Sequence, residues 1–201
     1  ERVEHPGHLG WGPGLSQLGG AHEIDEKHGG VADLAGQRTR LGHRAARDVG
    51  CNVLIPACAV ARTQEILYEL ATHFEAWGLA DWQIFLDSPM AIEATEVYWK
   101  HANLFDEEAQ EWHARARSLP PLPNLSLSRT ADESMAINRI TNGAIVIAGS
   151  GMCTGGRIVH HLKHNLGRPE CDVVFSGFQA QGTTGRAIVE GREYVRIHGE
   201  P

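Results

Sequence analysis

The 201-residue chain contains no apolar run approaching the ~20 residues that a bilayer-spanning helix requires. Its first residues also lack the basic-then-apolar order of a secretory signal. Both absences lead to the expectation of a cytoplasmic protein with no membrane partner. Cysteine is scarce: Cys51, Cys58, Cys153 and Cys171 stand apart without a C-x-x-C pair, which fits reduced thiols rather than a zinc ribbon or a disulfide framework. They read as small apolar fillers, with Cys153 the accessible one. The net charge of -7 argues against a broadly basic, nucleic-acid-coating surface. Basic residues are locally missing too, because residues 65–111 hold eleven acids against Lys100 alone. Residues 129–200 balance eight basic against seven acidic groups, so an anionic ligand would be met by loops of the C-terminal half.

Periodicity is also missing from residues 1–50, which carry eleven of the 23 glycines. The segment reads as irregular, with only a weak helical pattern over 31–49 and with His5, His8, His22 and His28 in no ordered metal-binding spacing. The ordered domain is expected over 51–201, a length that suits one α/β unit.

What is present there alternates strand with helix. Ala144-Ile-Val-Ile follows a turn signal at Asn142-Gly143 and predicts a strand buried on both faces. Gly149, Gly151, Gly155 and Gly156 then form a loop, and Ile158, Val159, Leu162 and Leu166 fall at helical spacing, with Thr154 or a glycine as N-cap. Such a helix start suits an anion, although glycines in a strand-to-helix turn often serve only tight packing. The same design predicts a strand over 53–57 and a helix from Arg62 closed by Gly78, with Ile66, Leu67, Leu70, Ala71 and Phe74 on its apolar face. A strand over 83–87 precedes a helix capped by Ser88-Pro89. A helix over 106–117 and a proline-rich stretch at 119–124 form a lid-like excursion. Residues 125–128 alternate as an edge strand, and Thr130-x-x-Glu133 is a capping box. A strand at 173–175, a second glycine loop at 177–185 and a helix at 186–190 precede an alternating strand at 194–197.

This order predicts a mostly parallel sheet flanked by helices, with ligands beyond the carboxyl ends of the strands. The loops gathered there offer Ser88, Ser150, Thr154 and Thr183 hydroxyls, Gln179 and Gln181 amides, and Arg62, Arg157 and Arg186 guanidiniums, donors suited to phosphate oxygens and sugar hydroxyls. No catalytic residue is assigned. His160 and His164 are spaced to share a metal but lack a neighbouring acid or thiol, so His160, His161 and His164 read as surface or partner-facing groups. Asp87, at a strand end beside Ser88-Pro89, reads as a loop-fixing residue rather than a general acid or base.

Four stretches together, Leu54-Ile-Pro-Ala-Cys-Ala-Val-Ala-Arg-Thr-Gln-Glu-Ile-Leu-Tyr68, Asp87-Ser-Pro-Met-Ala91, Ser150-Gly-Met-Cys-Thr-Gly-Gly-Arg157 and Gly177-Phe-Gln-Ala-Gln-Gly-Thr183, resemble the β-CASP domain of metallo-β-lactamase-fold RNA-processing nucleases. The resemblance spans about residues 52–200. It implies a flavodoxin-like domain that closes over a zinc-dependent hydrolase domain of the same full-length protein and clamps RNA between the two. It implies two zinc ions in the full-length protein and none on this chain, where the family's H-x-H-x-D-H motif is missing. The RNA contacts it implies are Arg62, Ser150, Gly151, Thr154, Gly155, Gly156, Arg157, Gln179, Gln181, Gly182, Thr183 and Arg186. Cys58 departs from the family's usual aromatic, and Ala61 stands where glycine is common. A fragment of a longer ribonuclease is the leading expectation. A non-catalytic assembly module and a stand-alone nucleotide-binding flavodoxin-like domain stay open as alternatives, as does a homodimer.

Overall fold

The computed structural model describes residues 21–23, 52–105, 107–115, 122–168 and 171–197. In chain order these form strand β1 (Ala21–Glu23), β2 (Asn52–Pro56), helix α1 (Arg62–Thr72), β3 (Gln83–Asp87), α2 (Pro89–Lys100), α3 (Glu107–Arg115), β4 (Leu125–Leu127), α4 (Ala131–Ile137), β5 (Ala144–Ala148), α5 (Arg157–Asn165), β6 (Asp172–Phe175) and α6 (Thr184–Val189). The strands make one all-parallel sheet in the order β1-β6-β2-β5-β3-β4.

Alternation along each strand divides the core into two layers. In register, Val53, Ile145 and Ile84 form one row and Ile55, Ile147 and Leu86 the next. Both rows pack against Ile66, Leu67 and Leu70 of α1 and Ala91 and Ile92 of α2. The intervening residues Leu54, Val146, Val173 and Phe175 face Ile137 of α4, Ile158, Val159 and Leu162 of α5, and Ile188 of α6. Ala144–Ala148 is buried throughout, as a strand covered on both faces must be. Among the described residues the short β4 pairs only with β3, and its Ser126 and Leu127 are exposed, the expected edge strand.

Helix starts follow local chemistry. Ser88 Oγ accepts from Ala91 N at 3.3 Å with Pro89 in the first turn of α2. The Thr130–Glu133 capping box is complete at α4. Several expectations need correction. α1 ends at Thr72, and Gly78 (φ 63°) lies beyond further turns rather than at its end. At α5 the glycine alternative holds, with Gly156 in the cap position and Thr154 in the loop. No strand forms at 194–197: Ile197 makes an isolated bridge with its side chain buried, while Tyr194 is exposed. Within the segment read as irregular, Ala21–Glu23 pairs with β6, a strand too short for any period to reveal. The helical pattern over 31–49 and the prolines at 120–121 lie outside the described residues.

Candidate functional site at the carboxyl edge

Because β5 lies between β2 and β3, its 149–156 loop is flanked by the turns that leave both neighbours. A Cβ on Gly149 would lie 3.7 Å from Ala57 O and 4.0 Å from Ser88 Oγ, and one on Gly151 only 3.2 Å from Cys58 Sγ. On the other side, Gly185 N donates to Met152 O at 3.1 Å, and buried Gln179 donates through Nε2 to Gly151 O and Gly177 O, both at 3.0 Å. The four loops at this edge, 56–62, 87–90, 149–156 and 177–184, therefore meet around the glycine loop.

The loop closes on itself. Ser150 N donates to Gly155 O at 3.2 Å, Thr154 N donates to Ser150 Oγ at 3.0 Å, and the Ser150 and Thr154 hydroxyls lie 3.3 Å apart. Ile158 N donates to Gly149 O at 3.0 Å, tying the first turn of α5 to the end of β5. Gly156, at φ 71°, is required twice over: a side chain there would meet Gly149 O at 2.4 Å.

A fifth loop joins the site through Arg157. Its Nη1 donates to Asp87 Oδ1 at 2.7 Å and to Ser128 O at 2.9 Å, while Nη2 donates to Arg129 O at 2.9 Å. Asp87 is fully buried, and its Oδ2 accepts from Ser134 Oγ at 2.5 Å and meets His161 Nε2 at 2.6 Å. The other ring nitrogen of His161 faces Asn138 Oδ1 at 2.7 Å. Burial pushes the Asp87 carboxyl up, but hydrogen bonds from His161, Ser134 and Arg157 together hold it below its ordinary value.

This network corrects the reading of the histidines. His160 and His164 are exposed, whereas His161 is wholly buried and belongs to the core. It also sharpens Asp87, which ties α4 and α5 to the end of β3. The cysteine assignment is reversed: Cys153 is 1 % exposed, with burial pushing its thiol up to about 12, whereas Cys58 is exposed. Cys153 sits at positive φ, and that turn carries its side chain inward to the α5 layer.

The expected contact residues fall into two groups. Ser150 and Gly155 are half-exposed, and Thr154, Gln181 and Gly182 are exposed. Gly151 is held against Cys58, and Arg157 and Gln179 are committed to internal hydrogen bonds. The Thr183 hydroxyl caps α6, accepting from Arg186 N at 3.1 Å and donating to Ala180 O at 2.7 Å. Arg62 pairs with Glu65 at 2.6 Å and Arg186 with Glu190 at 2.8 Å, each on its own helix surface. One exposed large apolar residue also comes from each of four edges of the site: Val60, Met90, Met152 and Phe178. Among the described residues, no three His, Cys, Asp or Glu side chains group closely enough to hold a metal ion.

A doubly covered parallel sheet with a glycine-loop carboxyl edge defines an α/β domain of the class whose ligands bind at that edge. A Beta-Casp domain profile matches residues 63–188, and the chain belongs to that family. It is 42 % identical over 151 residues to "Ribonuclease TTHA0252" of Thermus thermophilus, which covers 75 % of this chain and 35 % of the relative. It is 28 % identical over 179 residues to an "RNase J-like protein" of Methanocaldococcus jannaschii, covering 86 % of this chain and 40 % of that protein. It is 33 % identical over 155 residues to "Transcription termination factor FttA" of Thermococcus kodakarensis, covering 75 % and 23 %. The chain thus spans well under half the length of these relatives.

Proposed function

We propose that this chain is the RNA-contacting β-CASP part of a zinc-dependent, cytoplasmic ribonuclease. The observation that carries the reading is the convergence of carboxyl-edge loops on the 149–156 glycine loop, in a chain whose relatives include proteins named as ribonucleases. The Ser150 and Thr154 hydroxyls, the Gln181 amide and the loop backbone would hold phosphate oxygens and sugar hydroxyls, with Arg62 and Arg186 adding charge at the rim. Arg157, Gln179 and Thr183 would serve by shaping the loops. Two zinc ions would supply activated water for phosphodiester hydrolysis. Because the described residues do not fit a metal, no step is assigned to them. Among those residues, no helix is long and apolar enough to cross a membrane.

The test is anisotropy of a labelled RNA oligonucleotide with the full-length protein. Ser150→Ala/Thr154→Ala should weaken binding about ten-fold in a protein still fully folded at the assay temperature, and unchanged affinity would overturn the assignment. Light scattering on the same protein tests the homodimer.

The exposed Val60, Met90, Met152 and Phe178 favour a second reading, in which this edge packs against the metallo-hydrolase domain and binds no RNA itself. Tight docking of the two domains without RNA affinity on this face would select it. A stand-alone nucleotide-binding role needs calorimetric heat with a mononucleotide in the absence of any partner.

A further inference from the structure

We propose that Asp87, backed by His161, is a positioning residue that sets the register of the 149–156 loop for its ligand; this rests on the RNA reading above. Arg157 and His161 are four residues apart and therefore lie one turn apart on the same helix face. They hold opposite oxygens of one carboxylate, Arg157 on Oδ1 at 2.7 Å and His161 on Oδ2 at 2.6 Å. One anchor would let the helix pivot. Two anchors on a fully buried group restrain both its rotation and its slide along the end of β3.

The restraint reaches the loop through short links. Arg157 is the first residue of α5, directly after Gly156, and Ile158 N holds Gly149 O. Displacement of the helix start therefore displaces the Ser150 and Thr154 hydroxyls. The guanidinium also spans to Ser128 O and Arg129 O, fixing the β4–α4 turn against the same point, and Ser134 brings α4 to the carboxylate. None of these groups need touch the ligand. A planar fork with several donors suits this task, whereas a lysine ammonium supplies one point of attachment.

The experiment uses the full-length protein, RNA anisotropy and steady-state cleavage, well below the melting temperature. Arg157→Lys keeps the charge and loses the fork; it should raise Kd and KM about ten-fold with kcat and binding stoichiometry unchanged. His161→Leu should do the same, and His161→Gln, which retains a donor towards Asp87, should recover most of the affinity. Wild-type affinity in both Arg157→Lys and His161→Leu would overturn the proposal. So would a loss seen only as lower stoichiometry, with the folded remainder binding normally, since that marks a purely structural role. Failure of the wild-type protein to bind RNA would instead overturn the RNA reading on which the proposal rests.

Discussion

Arg62 and Arg157 occupy the same local position, the first residue of a helix that follows a parallel strand, yet the structure uses them differently. Arg62 turns along its own helix to Glu65, with about a third of each side chain exposed. Arg157 crosses to Asp87, where the carboxylate is fully buried and two further groups, Ser134 and His161, converge. The preceding turns differ as well. The 149–156 loop relies on Gly156 at φ 71°, whereas the β2–α1 turn has no glycine and places Ala61 at φ 68° and ψ -69°, with Arg62 N donating to Val60 O at 3.0 Å. That is a γ-turn with positive φ, costly for a residue with a Cβ. The comparison teaches that a guanidinium at a helix start acquires a role from the strand beside it.

The largest expected effect comes from removing the centre of the buried attachment. Asp87→Ala leaves Arg157 and His161 without their shared acceptor and should cost about 3–5 kcal/mol in chemical denaturation. Glu65→Ala, the matching lesion at Arg62, should cost within about 0.5 kcal/mol, and equal losses would erase the contrast.

Gly156→Ala should cost about 3 kcal/mol, because the new methyl group meets the Gly149 carbonyl, which is backbone and has nowhere to go. Thermal melting measures it. Ala61→Gly should go the other way and stabilise by about 1 kcal/mol, since glycine adopts this turn without strain. A destabilised Ala61→Gly protein would mean that the methyl group contributes packing that outweighs the strain.

The buried carboxylate also gives the contrast a pH signature. Asp87 is held below its ordinary value of 3.8, so the unfolded chain takes up a proton before the folded one does. Its contribution is therefore present above that value and lost as pH falls from about 4 through the folded pKa. The melting temperature of the wild-type protein should drop over that range, and Asp87→Asn should flatten the drop. Parallel slopes in the two proteins would assign the acid sensitivity elsewhere.

The smallest effect is chemical. At pH 8, a thiol reagent followed by peptide mass spectrometry should label Cys58 and spare Cys153 and Cys171, both of which are buried. Labelling of Cys153 at a comparable rate would mean that the glycine loop opens.

Strand and helix periods in residues 52–189 stand out in the sequence because apolar residues recur at two and at 3.6 positions, and caps such as Thr130–Glu133 act over one turn. These local rules determined most of the elements, their parallel arrangement and the glycine loops at one edge. They left the fate of each polar side chain undetermined. Asp87 and Arg157 are 70 residues apart, and Asp87 and His161 are 74. Only the placement of β5 beside β3, with α5 packed over the face to which Asp87 points, joins them. The same rule explains why Cys153 and His161 read as surface groups in the sequence. A loop glycine run and a histidine-rich helix look solvated until neighbouring elements cover them, and burial depends on which distant segments those are. The sequence by itself determined the doubly covered sheet and the chemistry available at its carboxyl edge. The tertiary structure decided which of those groups face outward and which hold the edge together, because a hydrogen bond depends on distance in space, not on separation along the chain.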